Sequence, residues 1–115
     1  MQPQNFAYLF SLLIEIPIAL LLLGRDARSR LIAGATSLVA TSVTHPILWW
    51  LAARLEPLLG YWLCIIPLEL AIVLVEGVFY RVLAAATWRR ALLTSLVANA
   101  ASYLLGLLCW YLVWP

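Results

Sequence analysis

Charge is what this sequence most lacks. Of 115 residues only 10% are charged, there is no lysine, and there is a single histidine. A soluble domain carries about a quarter charged residues. Hydrophobic residues make up 66% of the chain, with a mean hydropathy of +1.03. A domain this small buries only roughly 60–70% of the surface its unfolded chain exposes. Composition therefore excludes both a water-soluble monomer and a disordered chain. The formal net charge of +2 is too weak for a nucleic-acid partner. Other absences narrow the chemistry. The chain has no Gly-x-Ser-x-Gly, no Glu-x-x-His, no glycine-rich phosphate loop and no polar stretch long enough for a soluble catalytic domain. An enzyme is thus the least supported class, with an intramembrane metal-dependent one as its residual form. No basic region precedes the first apolar run, so that run reads as a retained span and not as a removable signal. The two cysteines, Cys64 and Cys109, fall near the same end of their runs and read as free thiols, because a disulfide needs Cα atoms about 4.4–6.8 Å apart.

Four apolar runs are present, at approximately 6–23, 31–53, 61–83 and 91–113. Each is long enough to cross a bilayer, which takes about 20 residues. Their hydrophobicity is continuous, not alternating, so they are helices. The expected fold is all-α: a single transmembrane domain over residues 1–115, an integral membrane four-helix bundle with the lipid bilayer as its solvent. Arg25, Arg28 and Arg30 occupy the break after the first run, and Arg81, Arg89 and Arg90 flank the break after the third. The positive-inside rule puts these breaks in the cytoplasm of a bacterial or archaeal cell, with both termini outside. The middle loop, Arg54 to Gly60, then faces outward. Trp49, Trp50, Trp62, Trp110 and Trp114 fall at that outer level and Trp88 at the inner one. An interfacial belt explains them; a docking face for a partner is the alternative.

The chain also repeats itself. Thr36-Ser37-Leu38-Val39-Ala40-Thr41 with Thr44 matches Thr94-Ser95-Leu96-Val97-Ala98-Asn99 with Ser102 at a constant offset. Glu15 and Glu76 correspond upstream with a three-residue slip. This reads as a duplicated two-helix hairpin, a parallel repeat.

Four ionisable residues lie within the spans: Glu15, His45, Glu69 and Glu76. Charges there are costly and face the bundle interior or a partner. At 1.5 Å per residue, Glu15, His45 and Glu69 are expected at one level, with Glu76 and Asn99 deeper. Helical spacing aligns Ser37, Thr41, Thr44 and His45 on span two, Ser95, Asn99 and Ser102 on span four, and Glu69, Glu76 and Tyr80 on span three. The simplest bundle turns every stripe inward, giving a polar core of the four ionisable groups with Thr41, Thr44, Asn99, Ser102 and Tyr80. Pro17 and Pro46 free the carbonyls of Leu13 and Ser42 near that core.

Three uses follow. Buried Glu and His residues suit proton or cation movement, by transport or relay, with a homo-oligomer expected for so small a chain. They equally suit helix pairing in an accessory subunit of a larger membrane complex. A divalent transition metal held by Glu15, His45, Glu69 and Glu76 is the third use.

Overall fold

A computed structural model of the protein describes residues 3–113. The Trp114 expectation lies outside the described residues. Four helices form an all-α bundle: α1 (Pro3–Leu23), α2 (Ala27–Leu59), α3 (Tyr61–Leu83) and α4 (Trp88–Val113). All four are long and apolar enough to cross a membrane. Each packs on its two neighbours in a ring, α1 against α2 and α4, α3 against α2 and α4, and among the described residues the backbones of diagonal helices stay apart. The bundle is 43 Å long, close to the roughly 40–45 Å of a bilayer with its headgroups.

The interior is built from small and polar residues. Its largest fully buried side chains are Tyr80, Glu76, Thr41, Thr94, Ser37 and Ser95, while the long aliphatic side chains point outward, Leu21 and Leu58 about four-fifths exposed. Hydrocarbon outside removes any hydrophobic reward for burying leucine, so the helices associate through small residues and polar contacts. Gly77 is one such contact: a Cβ there would stand 2.6 Å from Leu92 Cδ2 of α4.

Each helix covers one of the four apolar runs, and several helix ends differ from the ends of the runs. The middle loop is almost entirely helical, because α2 runs on through Arg54, Glu56 and Pro57 to Leu59 and leaves Gly60 alone as the joint. Gly60 has φ +80°, a conformation glycine adopts without steric cost. Its amide closes α2 on the Glu56 carbonyl at 2.8 Å. At the other end α2 starts earlier than expected, at Ala27. Asp26 caps it: the carboxylate accepts from the Ser29 amide at 2.8 Å, and Ser29 Oγ accepts from the Asp26 amide at 2.9 Å. Helix α4 likewise begins before Ala91, at Trp88, where the Thr87 hydroxyl accepts from the Arg90 amide. Arg90 Nη2 also donates to the Leu22 carbonyl at 2.7 Å. The two arginine-bearing turns therefore share one end of the bundle, opposite the Gly60 joint.

Candidate functional site

Glu15 of α1 and Glu76 of α3 meet at the centre of the ring. Both are 2% exposed, and their carboxyls lie near enough to interact. Three side chains from the other two helices surround them. Thr41 Oγ1 donates to Glu15 Oε2 at 3.4 Å. Thr44 Oγ1 lies 2.9 Å from Glu76 Oε2, and Asn99 Nδ2 donates to Glu76 Oε1 at 3.4 Å. Asn99 is itself aimed by a bond from Nδ2 to the Ser95 carbonyl at 2.8 Å. Ser95 in turn donates to the Val73 carbonyl at 2.7 Å, tying α4 to α3. Thr44 Oγ1 is also 3.0 Å from the carbonyl of Ala40, one turn back on its own helix. A hydroxyl has one hydrogen and cannot donate to both acceptors at once.

The other expected core residues take separate places. Tyr80, buried one turn from Glu76 toward the arginine end, lies beside Ser37. Ser102 is buried and bonds its own helix at Asn99 O, 3.1 Å. His45 does not share the Glu15 level. It sits against Tyr8 and Trp49, ring centroids 5.7 and 6.2 Å away, beside the Gln4 backbone, toward the Gly60 end. It makes no hydrogen bond to a carboxyl, and its Nε2 is buried without a partner. Glu69 is only partly buried and lines a groove on the outer surface between α3 and α4. Glu15, His45, Glu69 and Glu76 therefore do not make one ligand set, and among the described residues no three His, Cys, Asp or Glu side chains are grouped to hold a metal ion. The depth expectation also changes: Glu15 and Glu76 share a level, because α1 begins at Pro3 and so sets Glu15 three residues deeper than the apolar run indicates. Pro17 and Pro46 face outward, as helix-shape residues and not as part of the seam. Cys64 and Cys109 are free thiols.

Two polar pairs at this end do not stand out in the sequence. Tyr8 shares a 2.6 Å hydrogen bond with Ser42, and Tyr61 a 2.8 Å bond with Tyr103. Tyr8 lies seven residues before Glu15, on the same helical face, which is the signal that marks it.

Six of the seven buried residues of α2 (Ala33, Thr36, Ser37, Ala40, Thr41, Thr44) match the buried residues of α4 (Ala91, Thr94, Ser95, Ala98, Asn99, Ser102) at a constant offset, His45 being the exception. The contact of Thr41 with Glu15 has its counterpart in that of Asn99 with Glu76. Comparison with protein-family models, with curated proteins and with solved structures finds no match to this chain.

Proposed function

We propose that this protein handles protons within the membrane, by transport or relay, with the Glu15–Glu76 carboxyl pair as the exchanging group. The observation that carries the reading is the meeting of two buried carboxyls at the centre of a ring of apolar helices. Two carboxylates this close cannot both be ionised in such surroundings, so the pair holds a proton between them. The bonding around Thr44 supports this. Its one hydrogen satisfies the Ala40 carbonyl if a proton on Glu76 Oε2 is donated to Thr44 Oγ1 instead. Glu15 Oε1 is buried without a partner, which leaves it open to carry a proton.

The matched burial of α2 and α4 supports an origin in a duplicated hairpin, with each unit supplying one glutamate and one polar partner. By the positive-inside rule the arginine end faces the cytoplasm of a bacterial or archaeal cell, and the Gly60 end, with the open ends of α1 and α4, faces out. So small a bundle would work as a homo-oligomer.

The test is proton flux into proteoliposomes under an imposed potential, read by an entrapped pH dye. Glu15→Gln and Glu76→Gln each keep shape and hydrogen bonding but lose the exchangeable proton. Each is expected to cut flux at least about tenfold, or about 1.4 kcal/mol, with helicity and oligomer size intact. Flux at the level of the unsubstituted protein in both variants would sink the proposal. Purification with stoichiometric other chains, and no flux, would instead assign the bundle to an accessory subunit.

A further inference from the structure

Among the described residues four buried side-chain atoms have no hydrogen-bond partner within the protein: Glu15 Oε1, Ser37 Oγ, His45 Nε2 and Tyr80 Oη. Their distribution is uneven. Ser37 and His45 stand on the buried stripe of α2, and Glu15 and Tyr80 meet that stripe from α1 and α3. None of the four belongs to α4, although α4 carries a matching stripe. There Ser95 donates to the Val73 carbonyl, Asn99 to the Ser95 carbonyl and Ser102 to the Asn99 carbonyl. Ser37 and Ser95 make the contrast sharp. They occupy corresponding positions and both are fully buried, yet Ser95 Oγ is bonded and Ser37 Oγ is not.

Three of the four atoms gather in one place. Thr41, which donates to Glu15 Oε2, is one turn from Ser37 on the same face of α2. Tyr80 lies beside Ser37 and near Glu15. Glu15, Ser37 and Tyr80 are each more than nine-tenths buried. A buried polar atom left without a partner carries its full desolvation penalty. Three of them, on three different helices, call for one common partner that both donates and accepts. Buried water is such a partner and commonly makes about three hydrogen bonds to otherwise unsatisfied groups. An alkali cation would take the lone pairs and leave the two hydroxyl hydrogens without acceptors. The neighbours are small: Tyr80 packs with Ala19 of α1 and Ala33 of α2, so the seam is not filled by long aliphatic side chains.

From this we infer that a water molecule is bound between Glu15 Oε1, Ser37 Oγ and Tyr80 Oη, on the α1–α2–α3 side of the bundle, while the α4 side is dry. The water connects the carboxyl pair to Tyr80, on the side of the arginine end. Its use in proton exchange rests on the function proposed above; its binding does not.

The test is solid-state nuclear magnetic resonance on full-length protein in lipid bilayers, with magnetisation transferred from water to the protein. Ser37 and the Tyr80 ring are expected to receive it, and Ser95, equally buried at the corresponding position, is not. A second measurement uses Tyr80→Phe, which removes the hydroxyl and keeps the ring. If the hydroxyl bonds water, the variant loses a hydrogen bond and its unfolding equilibrium constant should rise roughly threefold. If the hydroxyl has no partner, its removal relieves the desolvation penalty and stabilises the protein, which would overturn the inference. A destabilised Tyr80→Phe without water transfer to Ser37 or Tyr80 in the unsubstituted protein would show a direct Ser37–Tyr80 hydrogen bond and also overturn it. So would equal transfer to Ser95, or a stoichiometric sodium or potassium ion retained after desalting. Glu76→Gln should keep the water signals while it cuts flux, so failure of the proton reading and failure of the water site are told apart. The comparison of Ser37 with Ser95 is made on unsubstituted protein and needs no variant to fold.

Discussion

Glu76 is hydrogen-bonded to two helices at once, to Thr44 on α2 and to Asn99 on α4, and so joins three of the four helices in the ring. Thr44→Val keeps the shape and removes one of these contacts. Interhelical hydrogen bonds in membranes average about 0.6 kcal/mol with a ceiling near 1.7, so the bundle should lose stability in that range. Reversible unfolding in mixed micelles would measure it, and a loss well above the ceiling would mean that Thr44 does more than bond Glu76. Much of this site is legible in the sequence, since Glu15, Glu76, Thr41, Thr44 and Asn99 stand out against their apolar runs. Their mutual levels are not, because an apolar run marks depth only from its own ends, while the helices extend past those ends through polar residues. Glu69 is the clearest case. It lies seven residues before Glu76, close to the same helical face, yet it is only partly buried at the α3–α4 groove, so spacing along one helix does not by itself fix burial.

Helices and turns carry their own predictions. Ala85, in the turn between α3 and α4, has φ +53°, a left-handed conformation that costs a residue with a Cβ about 1–2 kcal/mol. Ala85→Gly should stabilise the bundle by roughly 1 kcal/mol, with the greater backbone freedom of glycine in the unfolded chain offsetting part of the gain. A lowered melting temperature would contradict this. At the start of α2, the hydrogen bond from the Ser29 amide holds the Asp26 carboxyl below its ordinary pKa. A carboxyl depressed in the folded state contributes stability above its unfolded pKa, near 4, and loses it as pH falls through the folded value. Acid titration of the melting temperature should therefore steepen below about pH 4, and Asp26→Asn, which still caps, should flatten that limb. At this scale the sequence is informative about helix existence and less so about helix ends. Pro57 and the charged pair Arg54 and Glu56 read as a loop. Yet Arg54 stacks 3.8 Å from the Trp50 ring and bonds the Trp50 carbonyl one turn back, which fits a helix continuing through them.

The whole molecule is polar and small inside, bulky and apolar outside, and both arginine turns lie at one end. Its proposed orientation is testable in cells. In a background lacking native cysteines (Cys64→Ala, Cys109→Ala), a membrane-impermeant maleimide should label Glu56→Cys in intact cells and leave Ala27→Cys unlabelled until the cells are opened. The reverse pattern would invert the topology. The ring arrangement itself could not be read from the chain, since hydrophobic runs do not say which helices become neighbours. Short connections predict α1–α2, α2–α3 and α3–α4 contact, but the fourth side, α1 on α4, is a tertiary result. It is marked where Gly106 comes close to Phe10. Closure on that side has a consequence for the covalent chain. The open ends of α1 and α4 lie at the same end of the bundle as the one-residue joint at Gly60. A short linker from α4 to α1 and a cut at Gly60 would leave every helix with its present neighbours. The protein is in effect a loop whose opening point is arbitrary, and a circular permutant in the order α3, α4, α1, α2 should assemble the same carboxyl pair.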